Sequence, residues 1–78
     1  MRVYEQENVV RYLRSRNLVK QYKKAKCFLQ QGNFKAVDFK KRRPKSSDIW
    51  YFRITRKYRA YCSWEDDKIV VFDVDDHQ

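Results

Sequence analysis

The chain has 78 residues, 42% of them apolar and 17% aromatic, with a single glycine and a single proline. That is one small domain with enough aromatic bulk for a core, which excludes a linker or a low-complexity chain. The formal charge of +9 means self-repulsion, offset by solubility or by an anionic partner. Cys27 and Cys62 form no C-x-x-C pair and only one histidine is present, which excludes a zinc site of ordinary spacing.

Residues 1–5 read as a short strand and residues 6–16 as a helix, with Val9, Val10 and Leu13 on one side. Asn17 breaks the pattern and is a candidate N-cap for the next element. Residues 18–31 are the clearest helix, since Leu18, Tyr22, Ala25 and Leu29 fall on one face. Gly32 and Asn33 stop it. Phe34, Val37 and Phe39 then suggest a strand, followed by a charged loop over residues 40–48 around Pro44, Ser46 and Ser47.

Residues 49–56 alternate, with Trp50, Phe52 and Ile54 on one face and Tyr51, Arg53 and Thr55 on the other. Residues 58–64 make a second strand. Glu65, Asp66 and Asp67 form an acidic turn, and residues 68–75 return as a third strand with Val70, Phe72 and Val74 as its expected core face. The fold class expected is α+β, one domain over residues 1–78. Two N-terminal helices cover one face of a three- to four-stranded antiparallel sheet, and the other face is bare.

Charge is unevenly spread. Residues 9–45 hold thirteen lysines and arginines against one acid, Asp38, a net of +12. Residues 46–78 hold five basic and seven acidic residues, a net of −2. A basic half fits nucleic acid or an acidic protein. It fits a lipid surface less well, because the basic segments lack the apolar opposite face of an interfacial helix. No stretch resembles a signal peptide, and none approaches the run of about 18 apolar residues that a membrane span needs. A reducing cytoplasm is the expected compartment.

Strand parity gathers Tyr51, Arg53, Arg59, Tyr61, Ser63, Asp73, Asp75 and His77 on the bare face, beside the basic run Lys40, Lys41, Arg42, Arg43. Each has a plainer role. Arg53 and Arg59 can be cross-strand partners of Asp73 and Asp75. The basic run and Lys20, Lys23 and Lys24 can be solvated surface, and His77 an idle residue. Taken together they suit RNA cleavage. Arginine holds a phosphate in a fork, tyrosine stacks on bases, and histidine moves protons near neutral pH.

The stretch IWYFRITRKYRAY (residues 49–61), an acidic turn, the run IVVFDV and the closing DHQ resemble the RelE/ParE superfamily of toxins from bacterial type II toxin–antitoxin systems. The landmarks are the aromatic-x-x-Arg-Ile strand from Trp50 to Ile54, the pair Tyr58-Arg59, and Asp76-His77. QYKKAKCFLQQG also looks like the second helix of such proteins, so the resemblance covers residues 17–78. The DHQ ending looks most like the HigB and YafQ branches, which implies a ribosome-dependent mRNA endonuclease working without metal or cofactor.

On that resemblance His77 is the general base or acid, Arg53 and Arg59 contact the scissile phosphate, and Asp75 and Asp76 orient His77. Lys40, Lys41, Arg42, Arg43, Tyr51, Tyr61, Arg56 and Lys57 hold the RNA. RelE itself carries two lysines at the places of Tyr51 and Arg53, and some relatives carry a C-terminal helix or tyrosine past the DHQ ending. These departures favour a histidine-centred arrangement or a member with weak activity. The implied partners are mRNA on the ribosome and an antitoxin with an acidic segment. The alternatives are a ParE-like gyrase inhibitor, which shares the fold without nuclease chemistry, and a non-catalytic basic domain that binds RNA or an antitoxin.

Overall fold

The computed structural model describes residues 1–44 and 46–76. The elements in chain order are β1 (Arg2–Glu5), α1 (Glu7–Ser15), α2 (Val19–Gln30), a 3₁₀ turn (Phe34–Val37), β2 (Lys40–Lys41), β3 (Trp50–Arg53), β4 (Tyr58–Glu65) and β5 (Lys68–Asp76). The five strands form one sheet in the order β1-β5-β4-β3-β2. The β5-β4-β3-β2 part is antiparallel, and β1 runs parallel to β5.

The fold is therefore α+β with two helices, but the sheet is mixed and five-stranded, and its first strand precedes the helices. The short strand expected over residues 1–5 forms, but the expectation of a purely antiparallel sheet of three or four strands did not place it in the sheet, parallel to β5. Strand β1 is four residues long and buries one side chain deeply, Val3, so its sequence signal is faint. The expected strand through Phe34 and Val37 is a 3₁₀ turn instead. Their spacing of three residues is the period of that helix, and it lets the Phe34 and Phe39 rings meet with centroids 5.1 Å apart.

All three helical segments end in the same way. Asn17, Gly32 and Asp38 sit at φ 57°, 77° and 51°, in the left-handed region. After α1 the Leu18 amide donates to the Leu13 carbonyl (2.8 Å) and the Asn17 amide to that of Arg14 (3.2 Å). After α2 the Asn33 amide reaches Phe28 (2.9 Å) and the Gly32 amide Leu29 (3.0 Å). After the 3₁₀ turn the Phe39 amide reaches Phe34 (3.0 Å) and the Asp38 amide Lys35 (3.3 Å). This is the Schellman pattern, which satisfies carbonyls that the helix leaves open. Asparagine and aspartate tolerate the left-handed region better than other side-chain-bearing residues. Asn17 thus closes α1 rather than capping α2, whose N-cap is Leu18 and makes no side-chain bond.

The core lies between the helices and one sheet face. Val9 and Leu13 of α1 and Tyr22, Ala25 and Leu29 of α2 pack over Phe52, Ala60, Cys62, Ile69, Val71 and Val74. Phe52 is fully buried, and burial of a ring that size is worth about 1.5–3 kcal/mol. At one end of the layer Phe34, Phe39, Trp50 and Trp64 form an aromatic cluster, with Phe39 stacked on Trp50 at 5.1 Å and Trp64 edge-on to Trp50 at 4.9 Å.

The core face of β5 departs from simple alternation. Ile69, Val71 and Val74 are buried, whereas Val70 and Phe72 are only partly buried and outside the core. A β-bulge is the cause. Tyr61 pairs with Asp73 and Cys62 with Val71, so Phe72 has no partner and the strand changes phase. The Asn8 side-chain amide of α1 donates to the freed Phe72 carbonyl (3.1 Å), and the Asp73 carboxylate accepts from the Val74 amide (2.9 Å).

Candidate RNA interface on the bare sheet face

The face away from the helices is built by the alternate residues of β2 to β5. Lys40, Tyr51, Tyr61 and Asp73 lie in one row across the strands, and Arg53, Arg59 and Asp75 in the next. Aromatic and basic side chains interleave there. The Tyr51 and Tyr61 rings are 6.2 Å apart. The Arg59 guanidinium lies 4.7 Å from the Tyr51 ring centre, and that of Arg42 lies 5.5 Å from Tyr61. Both distances are within cation–π range. The result is a continuous array, Arg59–Tyr51–Tyr61–Arg42.

A cleft of about 670 Å³ opens along this array, lined by Lys40, Lys41, Arg42, Arg43, Tyr51 and Arg59. The β2–β3 connection shapes it. The Arg42 amide donates to the Ile49 carbonyl (2.8 Å), which continues the ladder one step past β2. The Ser47 hydroxyl lies within donating reach of the carbonyls of Pro44 (2.9 Å) and Arg42 (3.2 Å), which folds the basic loop back on itself. Among the described residues Lys41 pairs with a carboxylate, Asp48 at 4.0 Å, and it also lies 5.9 Å from the Trp50 ring. No ion pair among the described residues engages Lys40, Arg42, Arg43 or Arg59.

The residues expected at the site separate into three groups. Lys40, Lys41, Arg42, Arg43, Tyr51 and Arg59 line one cleft, with the Tyr61 ring tilted against that of Tyr51 beside them. Asp75 is opposite Arg59 in register and exposed, so it borders the same face. Arg53, although beside Arg59 in the sheet, pairs with Asp38 at 3.3 Å and lines a different recess against α2. Lys57 pairs with Asp76 at 3.5 Å, and Asp76 shares the register of Tyr58 rather than that of Arg59. Arg56 is exposed in the β3–β4 turn. His77 lies outside the described residues. The cross-strand pairs of Arg53 and Arg59 with Asp73 and Asp75 are not among the ion pairs formed.

Two groups were not foreseen. One is Asp38, whose position as the lone acid in a basic half was the available clue to a specific partner. The other is a cluster at the end of β1, where Glu5 accepts from the Tyr22 hydroxyl (2.9 Å) and from the Lys26 ammonium (3.0 and 3.1 Å). It fastens α2 to β1. Burial and the neighbouring Glu5 charge push the Tyr22 hydroxyl far above the usual tyrosine range. Burial likewise pushes the Cys62 thiol up to about 12. A neutral Cys62 in the core is a small hydrophobe, whereas Cys27 is exposed. Among the described residues no group of three or more histidine, cysteine or carboxylate side chains is placed to hold a metal. No described helix is long and apolar enough to cross a membrane.

Compared with protein-family models, with curated proteins and with solved structures, the chain gives no significant match in any of the three.

Proposed function

We propose that this protein is an RNA-binding toxin of the RelE/ParE kind, an endoribonuclease that seats single-stranded message along the bare sheet face. The observation that supports this reading is the Arg59–Tyr51–Tyr61–Arg42 array beside a cleft whose Lys40, Arg42, Arg43 and Arg59 make no ion pair among the described residues. Stacking is tolerant of base identity, and forked guanidinium contacts suit phosphate. Each ring here is already flanked by a guanidinium, so a base and its phosphate can be held by neighbouring groups.

The chemistry would need no cofactor. A base takes the proton of the ribose 2′-hydroxyl, and the 2′-oxygen attacks phosphorus. The bond to the 5′-oxygen breaks as that oxygen takes a proton, leaving a 2′,3′-cyclic phosphate. Arg59 stabilises the charge that builds on the phosphoryl oxygens. The proton transfers fall to His77 on the resemblance alone, with Asp75 as the carboxylate nearest Arg59 in the sheet register. Arg53 is assigned no contact with the phosphate, since Asp38 engages it.

Ribosomes programmed with message test the reading. The parent should cut, and Arg59→Ala and His77→Ala should each slow cutting on the order of a hundredfold or more. Uncut message in the parent reaction contradicts the nuclease assignment. If the parent instead blocks DNA supercoiling by gyrase, the ParE-like alternative replaces it.

A further inference from the structure

The bare face does not end at the cleft. Four adjacent strands each place one ring outside the core: Tyr51 of β3, Tyr61 of β4, Phe72 of β5 and Tyr4 of β1. Tyr51 and Tyr61 are partners in register, and Tyr4 lies beside Val70, two residues along β5 from Phe72. Tyr4 alternates with buried Val3 and is the one exposed large hydrophobic side chain among the described residues, at 45%. Phe72 is only partly buried, because the bulge sets it with Asp73 opposite Tyr61.

Cations close this line of rings at both ends. The basic cleft stands at the β3 end. At the β1 end Arg2 and Lys68 are opposite each other in register, both exposed, and in no ion pair among the described residues. Like charges side by side weaken a sheet, and Glu65, opposite Lys68 on β4, offsets only part of that. Such a pair suits a bound anion. Asp73 is the acid within the line, and its carboxylate accepts from the Val74 amide (2.9 Å). It repels phosphate, so bases rather than phosphates lie over β5.

We infer that β1 and β5 carry a second RNA subsite, and that a single strand leaves the cleft and crosses the sheet to reach it. One base stacks on each of the four rings, and a far phosphate meets Arg2 and Lys68. This path rests on the reading of the bare face as an RNA surface and adds residues that lie outside the cleft. The rings span three strand spacings, roughly 14 Å. That gives a footprint of about four nucleotides, at the low end for stacking platforms of this kind. Stacking is indifferent to base identity, so the subsite selects for length of single strand rather than for sequence.

Oligouridylates blocked by 2′-O-methyl groups cannot be cut, and their binding over a range of about two to eight nucleotides tests the path. Affinity for the parent should climb steeply up to about four nucleotides. Tyr4→Ala should weaken the longest ligand by roughly tenfold and leave the shortest unchanged, and Tyr4→Phe should restore the parent value. Arg2→Gln should flatten the salt slope of the longest ligand by about 0.7. Tyr51→Ala, in the cleft, should weaken every length. Thermal melts establish that each variant is folded. If Tyr51→Ala weakens binding while folded Tyr4→Ala and Arg2→Gln match the parent, the second subsite is overturned and the cleft stands. If the parent binds no length, both are overturned. If the parent sediments as a dimer and Tyr4→Ala as a monomer with parental RNA affinity, a second copy of the chain covers these rings and the subsite is overturned.

Discussion

The two faces of the sheet are written in the same strands and differ in almost every property. On the helix side, Phe52, Ala60, Cys62, Ile69 and Val71 are fully buried. One residue along, Tyr51 and Arg59 face a cleft with Lys40 and Arg42, and Tyr61 sits beside it against Arg42. The first face holds the domain together. The second contributes little to that and, among the described residues, keeps four cations out of ion pairs. Alternation of the strand allows a protein of this size to keep stability and binding on separate residues.

The largest effect that sharpens this contrast is Phe52→Ala. Truncating a fully buried phenylalanine costs about 3–5 kcal/mol, a large share of the stability of a small domain. Its urea midpoint should collapse, and a midpoint near that of the parent would break the assignment of the core. On the other face Tyr51→Ala and Arg59→Ala should each shift stability by about 1 kcal/mol or less. Tyr51→Ala removes one stacking platform and should weaken single-stranded RNA binding by roughly tenfold. A variant that unfolds the protein without touching RNA affinity would reverse the roles of the faces.

A smaller effect comes from the fastening at β1. Tyr22→Phe keeps the ring in the core and loses the bond to Glu5, for a loss of about 1 kcal/mol in a urea titration. It also alters the alkaline limb. The folded protein holds the protons of Tyr22 and Cys62 above their ordinary values of 10.0 and 9.0. The unfolded chain releases them first, so stability falls as pH rises from 9 through 12, and nothing is lost below 9 from these groups. The fall should be shallower in Tyr22→Phe. A parent midpoint that is flat or rising over that window contradicts the burial of both groups. Least in energy, but clear in readout, is thiol labelling. Cys27 should react at once and Cys62 only after unfolding, whereas equal rates would place Cys62 outside the core.

Much of this architecture was legible in the sequence, for identifiable reasons. The long elements were readable because each carries its own period, four-three-four from Leu18 to Leu29 and two from Trp50 to Ile54. The bare face followed from that parity, and Tyr51, Arg59 and Tyr61 are where it put them. What failed was whatever depended on a single extra residue or a distant partner. The bulge at Phe72 shifts the phase of β5, and no local pattern announces it. The pairing of Arg53 with Asp38 joins residues from the sheet and from the end of a 3₁₀ turn, so parity alone put Arg53 in the wrong company. The strand β1 gains its place from β5, far along the chain, in the parallel register that sets Val3 against Ile69 and Glu5 against Val71.

The cleft is the centre of the account, and its salt dependence tests it most directly. Single-stranded RNA should be titrated against the parent, Arg59→Ala and Arg42→Ala over a series of salt concentrations. If each guanidinium meets a phosphate, each variant should bind more weakly, and its slope of log affinity against log salt should flatten by about 0.7. Both variants binding RNA with the affinity and slope of the parent would show that RNA does not lie on this face.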